Sequence, residues 1–83
     1  MDWYDETAAA LADGLGVTID DLFLPADIRE EILDLARIAS HDSGQRINAP
    51  FLCFALGYAV ARGASLDDLA RVIRQRAGET PVG

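Results

Sequence analysis

The chain is predicted to be all-α, and three observations predict it. Apolar residues recur at helical spacing in four segments. Gly, Pro, Ser and Asn punctuate the gaps between those segments. No stretch keeps the strict alternation of a half-buried strand, and no internal repeat is visible. The expected architecture is a compact four-helix bundle with short loops, and short links place neighbouring helices antiparallel. At 83 residues the chain is one domain, residues 1–83, near the lower end of what folds alone.

The first helix is expected from about Trp3 to Leu15, with Tyr4, Ala8, Leu11 and Leu15 on one face. Asp2, Asp5 and Glu6 suit its positive end, and Gly14 and Gly16 offer a left-handed stop. Val17 to Leu24 reads as a connector that folds Leu22, Phe23 and Leu24 onto the core. Pro25 suits the first turn of a second helix reaching about Ser40, with Ile28, Ile32, Leu35 and Ala39 inward. Asp42 to Ile47 is a turn broken by Gly44.

Asn48 reads as the N-cap of the third helix, Pro50 as part of its first turn and Gly63 as its stop. Between Ala49 and Ala61 there is no charge. A helix apolar all round is either the buried centre of a bundle or a contact surface. The expectation is the first: a central third helix, with Gly57 allowing another helix to come close. Ser65-Leu66-Asp67-Asp68 resembles a capping box opening the fourth helix. Leu66, Leu69, Ala70, Ile73 and Ala77 form its inner face, and Asp67 with Arg71 an i,i+4 pair. Gly78 closes that helix, and residues 79–83 are expected to fray as a flexible tail.

Composition narrows the function. Seven arginines against fourteen acids leave a net charge of −7, which disfavours nucleic acid, whose phosphates demand clustered basic residues. Arg71, Arg74 and Arg76 are more simply read as complementing a helix dipole. One cysteine, Cys53, forms no internal disulfide and no CxxC metal pattern, and it sits where Cys acts as a small hydrophobe. The acidic start MDWYDET is unlike a signal peptide. The apolar run from Ala49 to Ala61 is shorter than the ~20 residues a bilayer span needs. A cytoplasmic protein with no membrane partner is expected.

Residues able to carry chemistry cluster before the third helix. His41 falls at the end of helix two, where a cationic ring is favoured. Asp42 and Ser43 adjoin it, but sequence adjacency does not build a triad. Arg46 and Asn48 precede a helix start, where backbone amides and an arginine fork suit a phosphate or carboxylate. The blander reading pairs Arg46 with Asp42 or another surface acid and leaves Asn48 a cap. Ser43-Gly44 with Arg46 lacks the spacing and lysine of a P-loop. His41, Ser43, Arg46 and Asn48 are therefore candidates for binding a partner or an anion, with no metal site and no cofactor expected. Trp3, Phe51, Phe54 and Tyr58 are core or, if uncovered, a contact face; the last three share one side of helix three.

The order of features resembles a small actinobacterial helical domain family without an assigned activity. Trp3, Leu11 with Leu15-Gly16, Ile32-Leu33-Asp34-Leu35-Ala36-Arg37, His41, Arg46, Ala49-Pro50, Leu52 and Gly57 carry the resemblance. Ser40 stands where that family has Ala, and Gly44 makes the turn one residue longer. Members occur alone or joined to molybdenum cofactor guanylyltransferase domains. They are often labelled molybdopterin-guanine dinucleotide biosynthesis proteins. The resemblance implies a link to molybdenum cofactor maturation or a molybdoenzyme system, with a nucleotidyltransferase or molybdoenzyme subunit as partner.

The leading expectation is thus a non-catalytic accessory or protein-interaction module. One alternative is an acyl-carrier-like protein modified at Ser43, echoed loosely by Asp42-Ser43. Another is a homo-oligomeric, for instance homodimeric, helical domain binding a small anion. A stand-alone enzyme ranks last, because no nucleophile–base pair, metal cluster or phosphate loop is visible.

Overall fold

A computed structural model describes residues 2–16 and 18–78, save the side chain of Ile19; the expected tail at 79–83 lies outside the described residues. Four α-helices follow in order: α1 (Trp3–Leu15), α2 (Ala26–Ser43), α3 (Asn48–Ala61) and α4 (Leu66–Arg76). A 3-10 turn at Ile19–Leu22 joins the first two. There is no strand among the described residues, and the all-α expectation holds.

Local chemistry explains the helix limits. Asp2 caps α1 by accepting the Asp5 N–H at 2.8 Å, and Gly16 ends it at φ 73° with its N–H on the Ala12 carbonyl. Pro25 stands just outside α2, extended at φ −58°, ψ 156°, and not in its first turn. That helix runs three residues beyond Ser40, because the left-handed stop is Gly44, whose N–H reaches the Ser40 carbonyl. Ser65 caps α4 by accepting the Asp68 N–H at 3.3 Å. The expected capping box is only half made there. Asp68 turns its carboxylate to Arg71 at 2.9 Å, so the pair on this helix is i,i+3 from Asp68 and not i,i+4 from Asp67.

The core centres on α2. Leu35 and Ile38 are fully buried, with Leu56 from α3 and Ala70 from α4 against them. Ile32, Leu52, Leu66, Leu69, Ile73 and Ala77 close around this cluster, so the inner face expected of the fourth helix is confirmed. The third helix is not the centre. It buries one residue, Leu56, against α2 and leaves its far side uncovered. Nor does a neighbour approach Gly57: a Cβ built there meets nothing within 4 Å.

An ionic clamp joins α2 to α4. The Arg74 guanidinium is hydrogen-bonded to Glu31 and, at 2.9 Å, to Asp34, which also accepts from Arg37. Arg74 therefore binds a neighbouring helix and does more than complement its own dipole. These two arginines hold the Asp34 carboxyl below its ordinary value near 3.8. The clamp's contribution is complete above that ordinary value and is lost as pH falls through the depressed one. Acid titration of thermal stability below about pH 4 should show this loss, and Asp34→Asn should flatten that limb. An unchanged acid limb in Asp34→Asn would assign the loss to other carboxylates.

The first helix stands apart. No α1 Cα comes within 8 Å of α2, α3 or α4; its backbone neighbour is the 3-10 turn. Of its expected inner face only Ala8 is buried, while Leu11 and Leu15 are exposed. Phe23 also points outward, at 66% exposure, with Leu22 and Leu24 half-buried. The molecule is accordingly elongated, 42 × 26 × 21 Å, with a radius of gyration of 14.3 Å. A compact chain of this length would come to about 12 Å.

One side chain ties α1 down. Arg29 donates to Asp2 at 2.7 Å, to Asp5 at 2.7 Å and to the Leu24 carbonyl at 2.8 Å. Its guanidinium carbon also lies 5.0 Å from the centroid of the Tyr4 ring. The Tyr4 hydroxyl in turn donates to the Leu22 carbonyl.

Candidate docking face

The uncovered side of α3 is the most unusual surface of the molecule. Phe51 is 64% exposed, Phe54 78% and Tyr58 58%. Ile47 precedes them, also exposed, and Ala61 follows. The steps Ile47–Phe51–Phe54–Tyr58–Ala61 are four, three, four and three residues. That is the spacing with which a helix presents a seam to a second helix. Here the seam points away from its own bundle, opposite Leu56. At the C-terminal end Arg62 lies 5.4 Å from the Tyr58 ring centroid and donates to its hydroxyl at 3.3 Å. The ring is thereby steadied in an outward pose.

The structure separates the four polar residues that sequence grouped together. His41 lies in the last turn of α2, as expected, and Ser43, expected in the turn after that helix, is its last residue. Ser43 and Asn48 line a shallow groove of about 480 Å³ with Asp42, Phe51, Ile73 and Arg76. His41 and Arg46 line a different recess with Ser40 and Gly44. Trp3 is 75% exposed on α1, away from the aromatic side of α3.

Asn48 is not an N-cap. Ile47 holds that position in a helical conformation, with no side-chain cap, and Asn48 is the first helical residue. The reason lies in the preceding turn, which already coils: the Asn48 N–H donates to the Gln45 carbonyl at 3.2 Å and the Ala49 N–H to Arg46 at 3.1 Å. Pro50 has no N–H to offer. The start of α3 therefore presents few free amides to an anion. No ion pair joins Arg46 to Asp42 among the described residues.

The Ser43 hydroxyl donates to the Ala39 carbonyl at 2.6 Å and accepts the Gln45 N–H at 3.2 Å. It finishes a helix, whereas the carrier-like reading needs a serine that begins one. Cys53 is half-buried, and burial pushes its thiol up, away from the reactive thiolate. Among the described residues no three His, Cys, Asp or Glu side chains gather as a metal site. Among the same residues no helix is long and apolar enough to cross a membrane.

The aromatic seam was legible in part. Sequence put Phe51, Phe54 and Tyr58 on one side of a helix; it did not extend the stripe to Ile47 and Ala61. The signal was present in the four-three spacing on both flanks.

No curated protein and no solved structure matches the chain. A family model described as a domain of unknown function, DUF6457, matches residues 1–81, and the chain belongs to that family.

Proposed function

We propose that this domain is a non-catalytic interaction module whose working surface is the outward seam of α3. A single observation carries the reading: three aromatic side chains on one helical face, each more than half exposed, in a chain that can spare little apolar area. Large aromatics left uncovered at helical spacing are the usual material of a binding hot spot. Arg46, in the α2–α3 link, directly precedes Ile47 at the N-terminal end of the seam, where polar rim contacts belong, and His41 at the end of α2 shares its recess. The resemblance to domains joined to molybdenum cofactor guanylyltransferases supports molybdenum cofactor maturation as the setting. In that setting the module would assist a nucleotidyltransferase or molybdoenzyme subunit in the cytoplasm without performing chemistry itself.

The test is photo-crosslinking in the native host with a benzophenone amino acid in place of Phe54. A protein adduct at that position, to a second copy or to another protein, is the expected result, and recovery of a nucleotidyltransferase together with the module from the same host would support the molybdenum setting. No adduct at Phe54 would overturn the interaction reading.

A further inference from the structure

We infer that the seam of α3 is covered by a second copy of this chain, in an antiparallel helix pair centred near Phe54. The inference rests on reading α3 as a docking face and names its occupant.

The stripe is self-complementary. The stripe places Phe51 three residues before Phe54 and Tyr58 four after it, with Ile47 and Ala61 each seven away. It reads almost the same in both directions. A two-fold axis beside Phe54 sets the two Phe54 rings together, Phe51 of one copy against Tyr58 of the other, and Ile47 against Ala61. A two-fold interface requires such a self-matching patch.

Area points the same way. Phe51, Phe54 and Tyr58 together expose about two whole aromatic side chains, roughly 400 Å² per copy. Ile47, 60% exposed, adds to this area. Two copies thus bring together on the order of 1,000 Å², the threshold for a specific interface. The crossing expected of a four-three seam is shallow, about 20°, which keeps the full stripe in contact.

Charge removes the objection that a chain of net charge −7 should repel itself. Between Arg46 and Arg62 no residue carries a charge, so the seam is where two copies can meet without opposing their carboxylates. The small core favours a constant occupant over an occasional one. Among the described residues only Ala8, Leu35, Ile38, Leu56 and Ala70 are buried, and a second copy is present wherever the chain is.

Sedimentation velocity on the full chain over about a thousandfold range of concentration tests this. The expected result is a species of twice the 8.9 kDa chain mass that dissociates on dilution. Phe54→Glu should raise the dissociation constant by more than about 100-fold with helical circular dichroism retained, whereas Val72→Glu on α4 should not. Geometry is checked in a Cys53→Ser background with an added oxidant: Phe54→Cys should link into a double-mass product, and Ile47→Cys should not. This readout stands even if Phe54→Glu fails to fold. A wild-type chain of 8.9 kDa at every concentration overturns the second-copy occupant, as does efficient linking through Ile47→Cys but not Phe54→Cys. A monomer whose residue 54 still crosslinks to another protein sinks this inference and leaves the interaction reading standing.

Discussion

Leu35→Ala should cost about 3 kcal/mol of unfolding free energy, the largest loss expected from any single truncation in this domain. Leu35 is 0% exposed and sits where α2 meets α3 and α4. Removing its branched end deletes buried apolar contact and leaves a cavity that three helices must collapse to fill. Chains of this size have on the order of 4–12 kcal/mol in total, so the variant would keep only part of its folded margin. Urea denaturation followed by circular dichroism measures it. The midpoint should fall with the slope unchanged, because the fold survives and only its stability moves. A loss below about 1 kcal/mol would show that the neighbours close the gap, and that the centre of the core lies elsewhere.

Arg29→Ala should release α1 while α2 to α4 stay folded. Few residues hold so much with one head group: Arg29 reaches Asp2, Asp5 and the Leu24 carbonyl and covers the Tyr4 ring. Without it, α1 keeps its contact with the 3-10 turn, the Tyr4–Leu22 hydrogen bond and the packing that buries Ala8. A 13-residue helix left on its own is marginal in water. Hydrogen exchange should therefore show α1 amides losing most of their protection, with α2 amides near Leu35 unchanged. Arg29→Lys should rescue this poorly, since an ammonium cannot fork to two carboxylates and a carbonyl at once. Retained α1 protection in Arg29→Ala would mean that packing on the 3-10 turn suffices.

Helix positions were legible because the residues that end helices act locally. Asp2, Gly16, Gly44 and Ser65 act within a turn of chain, so their effect is written where they stand. The choice of central helix was not legible, because composition does not say which apolar residues find a neighbour. α3 is the most apolar element, yet α2, with charges along its outside, holds the middle because it supplies Leu35 and Ile38, the large side chains around which α3 and α4 close. Likewise His41, Ser43, Arg46 and Asn48 are near in sequence and are sorted into two recesses by the extra turn of α2. Asn48 lost its capping role to a feature no single residue announces, the helical course of the turn before it. The Arg29 junction joins residues up to 27 apart and could be found only in three dimensions.

The four-residue link from Gly44 to Ile47 has a kinetic consequence. Closing so short a loop costs little chain entropy, so α2 and α3 can find each other before any distant segment is in place. The rate-limiting ensemble should then consist of this hairpin with α4 condensing on it, and core substitutions in α2 should slow refolding. Residues of α1 should leave refolding untouched and quicken unfolding instead. A domain assembled from neighbours in sequence belongs with the fast folders, completing the reaction within milliseconds, with its N-terminal arm the last part to settle.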